Sequence, residues 1–230
     1  MIEEPKALTI SRPSRRPTAA QIEAFQKAPT CFVVDAMNGR SAMDATIRPL
    51  HPSAPVKRVA GPALTAGNGP GDIRGTFGAV NFVQNGDVII ASAGGYQGCA
   101  TCGDRLAAMM VNQGAMGFVT DGPMRDLAGI LETGLPCWCT GLTPNTPFSN
   151  GPGTVGLPIQ IGGQQVETGD MIIADEDGVV VVPFDQIADV LVRLERVIAA
   201  EAALDAQIGQ SSDLPEHIRQ VVEGDDVEFI

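Results

Sequence analysis

Aromatic residues make up only 4% of this 230-residue chain, and lysine occurs at just three positions, Lys6, Lys27 and Lys57. With so few rings, the core must come from Val, Ile, Leu and Ala packed around tight turns, for which 27 Gly and 17 Pro supply the punctuation. None of the lysines lies at the strand-to-helix junctions described below, so Schiff-base chemistry has no amine to build on. Basic charge is scarce too: 15 Lys and Arg against 27 Asp and Glu leave a formal net charge of -12, which makes a nucleic-acid backbone a poor partner. The densest basic run, residues 12–16, is broken by Pro13 and Ser14 and reads as part of a solvated N-terminal arm. No stretch of about 18 apolar residues occurs, so no membrane span is expected. The opening MIEEPKAL has neither the basic nor the apolar region of a secretion signal, and a cytoplasmic location is the expectation. Cys31, Cys99, Cys102, Cys137 and Cys139 form an odd set unlike a disulfide framework, and reduced thiols are expected.

What is present is a regular succession of elements suited to one compact α/β domain. A helix is expected over 19–28, capped by Thr18 with Ile22 and Phe25 on one face, whereas 30–37 fits either a strand or more helix. A strand over 59–66, with a bulge or turn at Gly61 and Pro62, leads into a glycine-rich loop over 67–78 and a short helix over 76–82. Buried strands are expected over 88–91 and 117–120, with a helix over 105–112 between them. Further on come helical turns over 126–132, a strand over 135–140 and a long surface or interface loop over 143–156. Short strands follow over 158–161, 165–167, 171–174 and 179–182. Apolar residues at Ile187, Val190, Leu191, Leu194, Val197 and Ile198 then mark a long amphipathic helix over 184–208. The acidic tail, 211–230, carries a helical turn near 214–222 and is expected to pack on a neighbouring subunit.

Two junctions, 93–107 and 119–129, end buried strands and set glycines beside charged residues. Ligands collect where strands hand over to helices, so charges there carry more meaning than charges elsewhere. Free backbone N–H groups at the helix start near Gly103 would seat a carboxylate or an enolate oxygen. Arg125 offers a planar fork for a carboxylate, and Asp126 an oxygen for a hard cation whose other ligands are water.

The run GDRLAAMMVNQGAMGFVTDGPMRD, residues 103–126, resembles the signature of the RraA-like family. That family includes class II pyruvate aldolases acting on 4-hydroxy-4-methyl-2-oxoglutarate and 4-carboxy-4-hydroxy-2-oxoadipate. The likeness extends over 33–209 and takes in the segment GGQQVETGDMIIADEDGVVVVP. It implies a swivelling β/β/α-type α/β domain over 18–210, with an N-terminal helical segment and a long C-terminal helix, between an arm at 1–17 and the tail. It also implies a homotrimer or homohexamer with sites at subunit interfaces. By the same resemblance, the protein cleaves a 4-hydroxy-2-oxo acid to pyruvate by a retro-aldol reaction, with oxaloacetate decarboxylation as a side activity. Arg125 would bind the carboxylate or keto oxygen and stabilise the enolate, and Asp126 would be the protein ligand of Mg2+ or Mn2+. Asp104 would position the water that donates a proton, while Gly103 and the N–H groups of Arg105 and Leu106 hold the substrate. The aldolases place an acid where this chain has Gly129; Glu132, one turn on, is the candidate substitute, and Glu201 the candidate acid reaching in from a neighbouring subunit. The alternative is a non-catalytic regulator of an RNA-processing enzyme, or a relative acting on another 2-oxo or sugar acid. A weaker rival is structural zinc held by C-x-x-C at 99–102 and C-x-C at 137–139.

Overall fold

A computed structural model describes residues 6–51, 56–210, 214–224 and 227–230. In chain order the elements are β1 (Leu8–Ile10), α1 (Ala19–Gln26), α2 (Thr30–Ala36), β2 (Arg48–Pro49), β3 (Val59–Gly67), α3 (Arg74–Val80), β4 (Val88–Ser92) and α4 (Asp104–Asn112). There follow β5 (Gly117–Thr120), α5 (Leu127–Thr133), β6 (Cys137–Cys139), β7 (Gly153–Val155), β8 (Ile159–Ile161) and β9 (Gln164–Val166). The chain ends with β10 (Met171–Asp175), β11 (Gly178–Val182), α6 (Ile187–Gln210) and α7 (Glu216–Arg219).

These elements stack in four layers, and the period-2 alternation of the strands decides which layer each side chain enters. Strands β3, β4, β5 and β6 pair in parallel. From them, Ile89, Ala91 and Phe118 face α3, α4 and α5, where Leu106, Met110 and Ile130 complete a core. Val88, Ile90, Val119 and Trp138 face the other way, against Ile172, Ala174, Val179 and Val181 of the antiparallel pair β10–β11. The second face of that pair, Met171, Ile173, Val180 and Val182, is covered by Phe25, Val33, Ile187, Val190 and Leu194 of α1, α2 and α6. Strand β3 joins the two sheets: Val59 to Pro62 pair with β10, and Ala63 to Gly67 pair with β4. Gly61 and Pro62 therefore mark a change of sheet rather than a bulge.

The α/β fold with its long C-terminal helix is as expected, the choice left open over 30–37 falls to helix, and two local expectations are corrected. Residues 30–36 are helical, because the Asp175 carboxylate accepts from the Thr30 N–H at 2.9 Å and hydroxyl at 2.6 Å, capping α2 from 145 residues away. The N-terminal arm is docked, not solvated. Arg15 Nη2 lies 2.9 Å from Glu167 and 3.0 Å from Asp170, Arg16 pairs with Asp87, and β1 adds to β7 in parallel. The long loop over 143–156 contains β7, which is joined on its other side to β3. In the tail, α7 forms within the expected region, while 211–213 and 225–226 lie outside the described residues.

Candidate active site

Strands β4 and β5 end side by side, and α4 and α5 begin above them, so both junctions open onto one cleft of about 620 Å³. Gly103, Asp104, Arg105, Leu106, Arg125 and Asp126 all line it. Apolar side chains that the sequence did not reveal line it too: Ile73, Phe77, Met109 and Pro147. Phe77 and Met109 are large exposed apolar residues, a placement more suited to contact with a ligand or another chain than to water.

Asp126 adopts a left-handed backbone, φ 61° and ψ 45°, at the N-cap of α5. Few residues other than Gly tolerate that region; Asp does so at modest cost, and such strain concentrates where a side chain must be aimed. Arg125 Nε sits 3.3 Å from Asp126 Oδ2, and its Nη1 donates to Thr146 Oγ1 at 2.7 Å, so the fork is braced by the β6–β7 loop. Apart from that ion pair, the Asp126 carboxylate has no hydrogen-bond donor among the described residues, which leaves it bonding capacity toward the cleft. Beside the pair, α4 starts at Gly103, which has no side chain to cap it. The N–H of Arg105 is already taken by Asp104 Oδ1 at 2.6 Å, so a substrate oxygen seated there would require Asp104 to turn.

The donor set discriminates among metals. No three His, Cys, Asp or Glu side chains converge as a cage among the described residues, which disfavours zinc and calcium. One open carboxylate suits a hard cation that keeps most of its water, as Mg2+ does. Cys102, Cys137 and Cys139 instead join the core beneath α4 and α5, each donating its S–H to a backbone carbonyl at 3.3 to 3.4 Å. Burial pushes all three thiols up, Cys139 to about 11, so they are held neutral rather than poised as ligands.

The loops forming the cleft are tied to one another mainly through backbone atoms. The buried carboxylate of Asp121 accepts from the N–H groups of Ala93 at 2.5 Å and Gly95 at 2.9 Å. Arg125 N–H donates to Cys102 O at 3.0 Å, Thr101 N–H to Pro123 O at 2.8 Å, and Ala100 N–H to Asn145 O at 3.0 Å. Asp72, in the glycine-rich loop, accepts from Asn150 N–H at 2.7 Å and Gly151 N–H at 3.0 Å, closing the outer wall. Of the remaining candidates, Glu132 is exposed on α5 and does not line the cleft. Glu201 lies on α6, whose neighbours are α1 and α2 on the far side of the sheets.

Residues 30–181 match the family model described as RraA-like, Aldolase/RraA. The chain is 33% identical over 190 residues to a protein of Halalkalibacterium halodurans named "Putative 4-hydroxy-4-methyl-2-oxoglutarate aldolase", covering 83% of this chain and 89% of that one. Its structure is similar to that of Streptomyces coelicolor RraAS2, described as an unusual member of the RNase ES inhibitor RraA protein family. That likeness has a TM-score of 0.72 and 25% identity over 85% of this chain and 100% of the other. An uncharacterized protein of Pseudomonas syringae pv. tomato, 23% identical, shares the fold with a TM-score of 0.76 over 87% of this chain and 97% of its own. No helix among the described residues is long and apolar enough to cross a membrane.

Proposed function

The chain belongs to the RraA-like family, and from that premise we propose that it is a divalent-metal-dependent carbon–carbon lyase. Its substrate is a 4-hydroxy-2-oxo acid cleaved to pyruvate, and it decarboxylates oxaloacetate by the same enolate chemistry. The observation that carries this reading is the Arg125–Asp126 pair, a braced guanidinium beside a carboxylate with spare capacity, lying against the start of α4 in one cleft.

Each part has a chemical task. Asp126, with water, holds Mg2+ or Mn2+, and such an ion when bound draws electron density from the 2-oxo group. The Arg125 fork binds the substrate's carboxylate or keto oxygen and stabilises charge that grows as the bond breaks. In the aldol cleavage the C3–C4 bond breaks, its electron pair enters the pyruvate enolate, and the C4 hydroxyl passes its proton to a water beside Asp104 and becomes a carbonyl. Asp104 orients the water that returns a proton to C3, while Gly103 and the N–H groups of Arg105 and Leu106 seat the substrate. The apolar side chains Ile73, Phe77, Met109 and Pro147 limit contact of the substrate with bulk water. The reading includes a cytoplasmic homotrimer or homohexamer, with Glu201 of a neighbouring copy reaching the cleft.

The test is turnover of oxaloacetate and of a panel of 4-hydroxy-2-oxo acids, with and without Mg2+. Loss of turnover in EDTA and recovery with Mg2+ are expected. Absent or EDTA-insensitive turnover would favour the second reading, a regulator of an RNA-processing enzyme, which the likeness to RraAS2 supports.

A further inference from the structure

Gly129 stands inside α5, where no positive φ calls for glycine and where alanine is the better helix former. A reason for its bare Cα lies across the helix interface. A Cβ built on Gly129 would come within 2.6 Å of Asp104 Cβ, 2.8 Å of its Oδ2 and 3.1 Å of its Cγ. The first of these decides the matter, because Asp104 Cβ is fixed by the α4 backbone and no rotation about χ1 moves it away. The same arrangement recurs in the opposite direction. A Cβ on Gly103, just before α4, would lie 2.6 Å from Asp126 Oδ2 and 3.2 Å from Arg125 Nε. Each of the two cleft acids thus occupies the hollow left by a glycine on the other segment.

We infer that Gly129 is a positioning residue: it lets the start of α4 lie directly on α5 and so sets the separation of Asp104 from the Arg125–Asp126 pair. Its catalytic consequence rests on the lyase reading, whereas its packing consequence does not. In this chain, with Asp104 Cβ against it, a side chain at this position, an acid included, meets α4 before it can serve the cleft. It forces the two helix starts apart and carries Asp104 away from the substrate.

A thermal-unfolding cycle over Gly129→Ala, Asp104→Gly and the double variant tests the packing. Gly129→Ala is expected to lower Tm in the unaltered chain and to raise it once Asp104→Gly has removed the opposing Cβ, a sign reversal that simple helix propensity does not produce. Oxaloacetate decarboxylation tests the positioning. Gly129→Ala is expected to cut kcat by about 100-fold, yet to cost nothing further when Asp104→Asn is already present. A rise in Tm on Gly129→Ala in the unaltered chain would overturn the inference. So would tighter binding of Mn2+ alone by the Gly129→Asp variant, read by electron paramagnetic resonance. If the unaltered chain turns over no oxaloacetate, the lyase reading falls, while the Tm cycle still decides the role of Gly129.

Discussion

The acids buried in this molecule and the acids at its cleft are used in opposite ways. Asp121 and Asp175 have both carboxylate oxygens taken: Asp121 by the N–H groups of Ala93 and Gly95 and the Ser92 hydroxyl, Asp175 by Thr30 and the Asp177 N–H. The Asp104 carboxylate accepts one hydrogen bond, from its neighbour Arg105, and that of Asp126 has only the ion pair with Arg125 among the described residues. Burial turns a carboxylate into a brace for backbone donors that would otherwise be unpaired, since an orphaned buried donor is costly. Exposure at the strand ends leaves lone pairs for something that arrives from solvent. Spare bonding capacity, more than residue type, separates the acids at the cleft from those that brace the fold.

The sharpest way to break this contrast is at the cleft. Arg125→Ala and Asp126→Ala are each expected to lower kcat/KM for oxaloacetate by about 1000-fold while leaving Tm within about 2 °C; near-normal rates would show the site to be elsewhere. The reverse pattern is expected from the braces, with Asp121→Ala and Asp175→Ala each costing about 3 kcal/mol in urea unfolding. A loss below about 1 kcal/mol there would erase the distinction. A smaller effect concerns the thiols, whose folded pKa values are raised by burial. In the unfolded chain they ionise first, so their stabilising contribution is complete below the ordinary value of 9.0 and is lost as pH rises to about 11 for Cys139. The Cys139 share of that drop should be about 2 kcal/mol over the interval, and Cys139→Ser should remove it. The smallest effect is assigned to Glu132→Gln, expected to change turnover less than about twofold, because that side chain does not line the cleft. A large loss would mean that α5 turns toward the substrate in the working enzyme.

Elements whose reason is local were readable from sequence. Strands β4 and β5 are short apolar runs flanked by turns, and α6 has unbroken helical periodicity in its first half, so pattern alone placed them. Gly103, Arg125 and Asp126 stood out as glycine and charge at strand ends, whereas Asp104 entered through the resemblance of residues 103–126 to the RraA-like signature. Features with a distant cause were not readable. The helix at 30–36 depends on Asp175, and the docked arm depends on Asp87 and Asp170, carboxylates that lie 71 and 155 residues from their arginines. Thr146, the brace on Arg125, sits in a Pro-containing loop that showed no periodicity to read. The apolar lining comes from three separate segments, and no single window of sequence contains it. The crossed glycine hollows are invisible for the same reason, since a close approach between two helices leaves no trace in the spacing of either one.

Strand β3 has a mechanical consequence. Its nine residues are shared among β10, β4 and β7, so the two sheets are welded along one backbone and cannot hinge against each other without breaking hydrogen bonds on both sides. Any change in the width of the cleft must therefore come from the loops above the strands, with the frame beneath it moving as a single rigid plate.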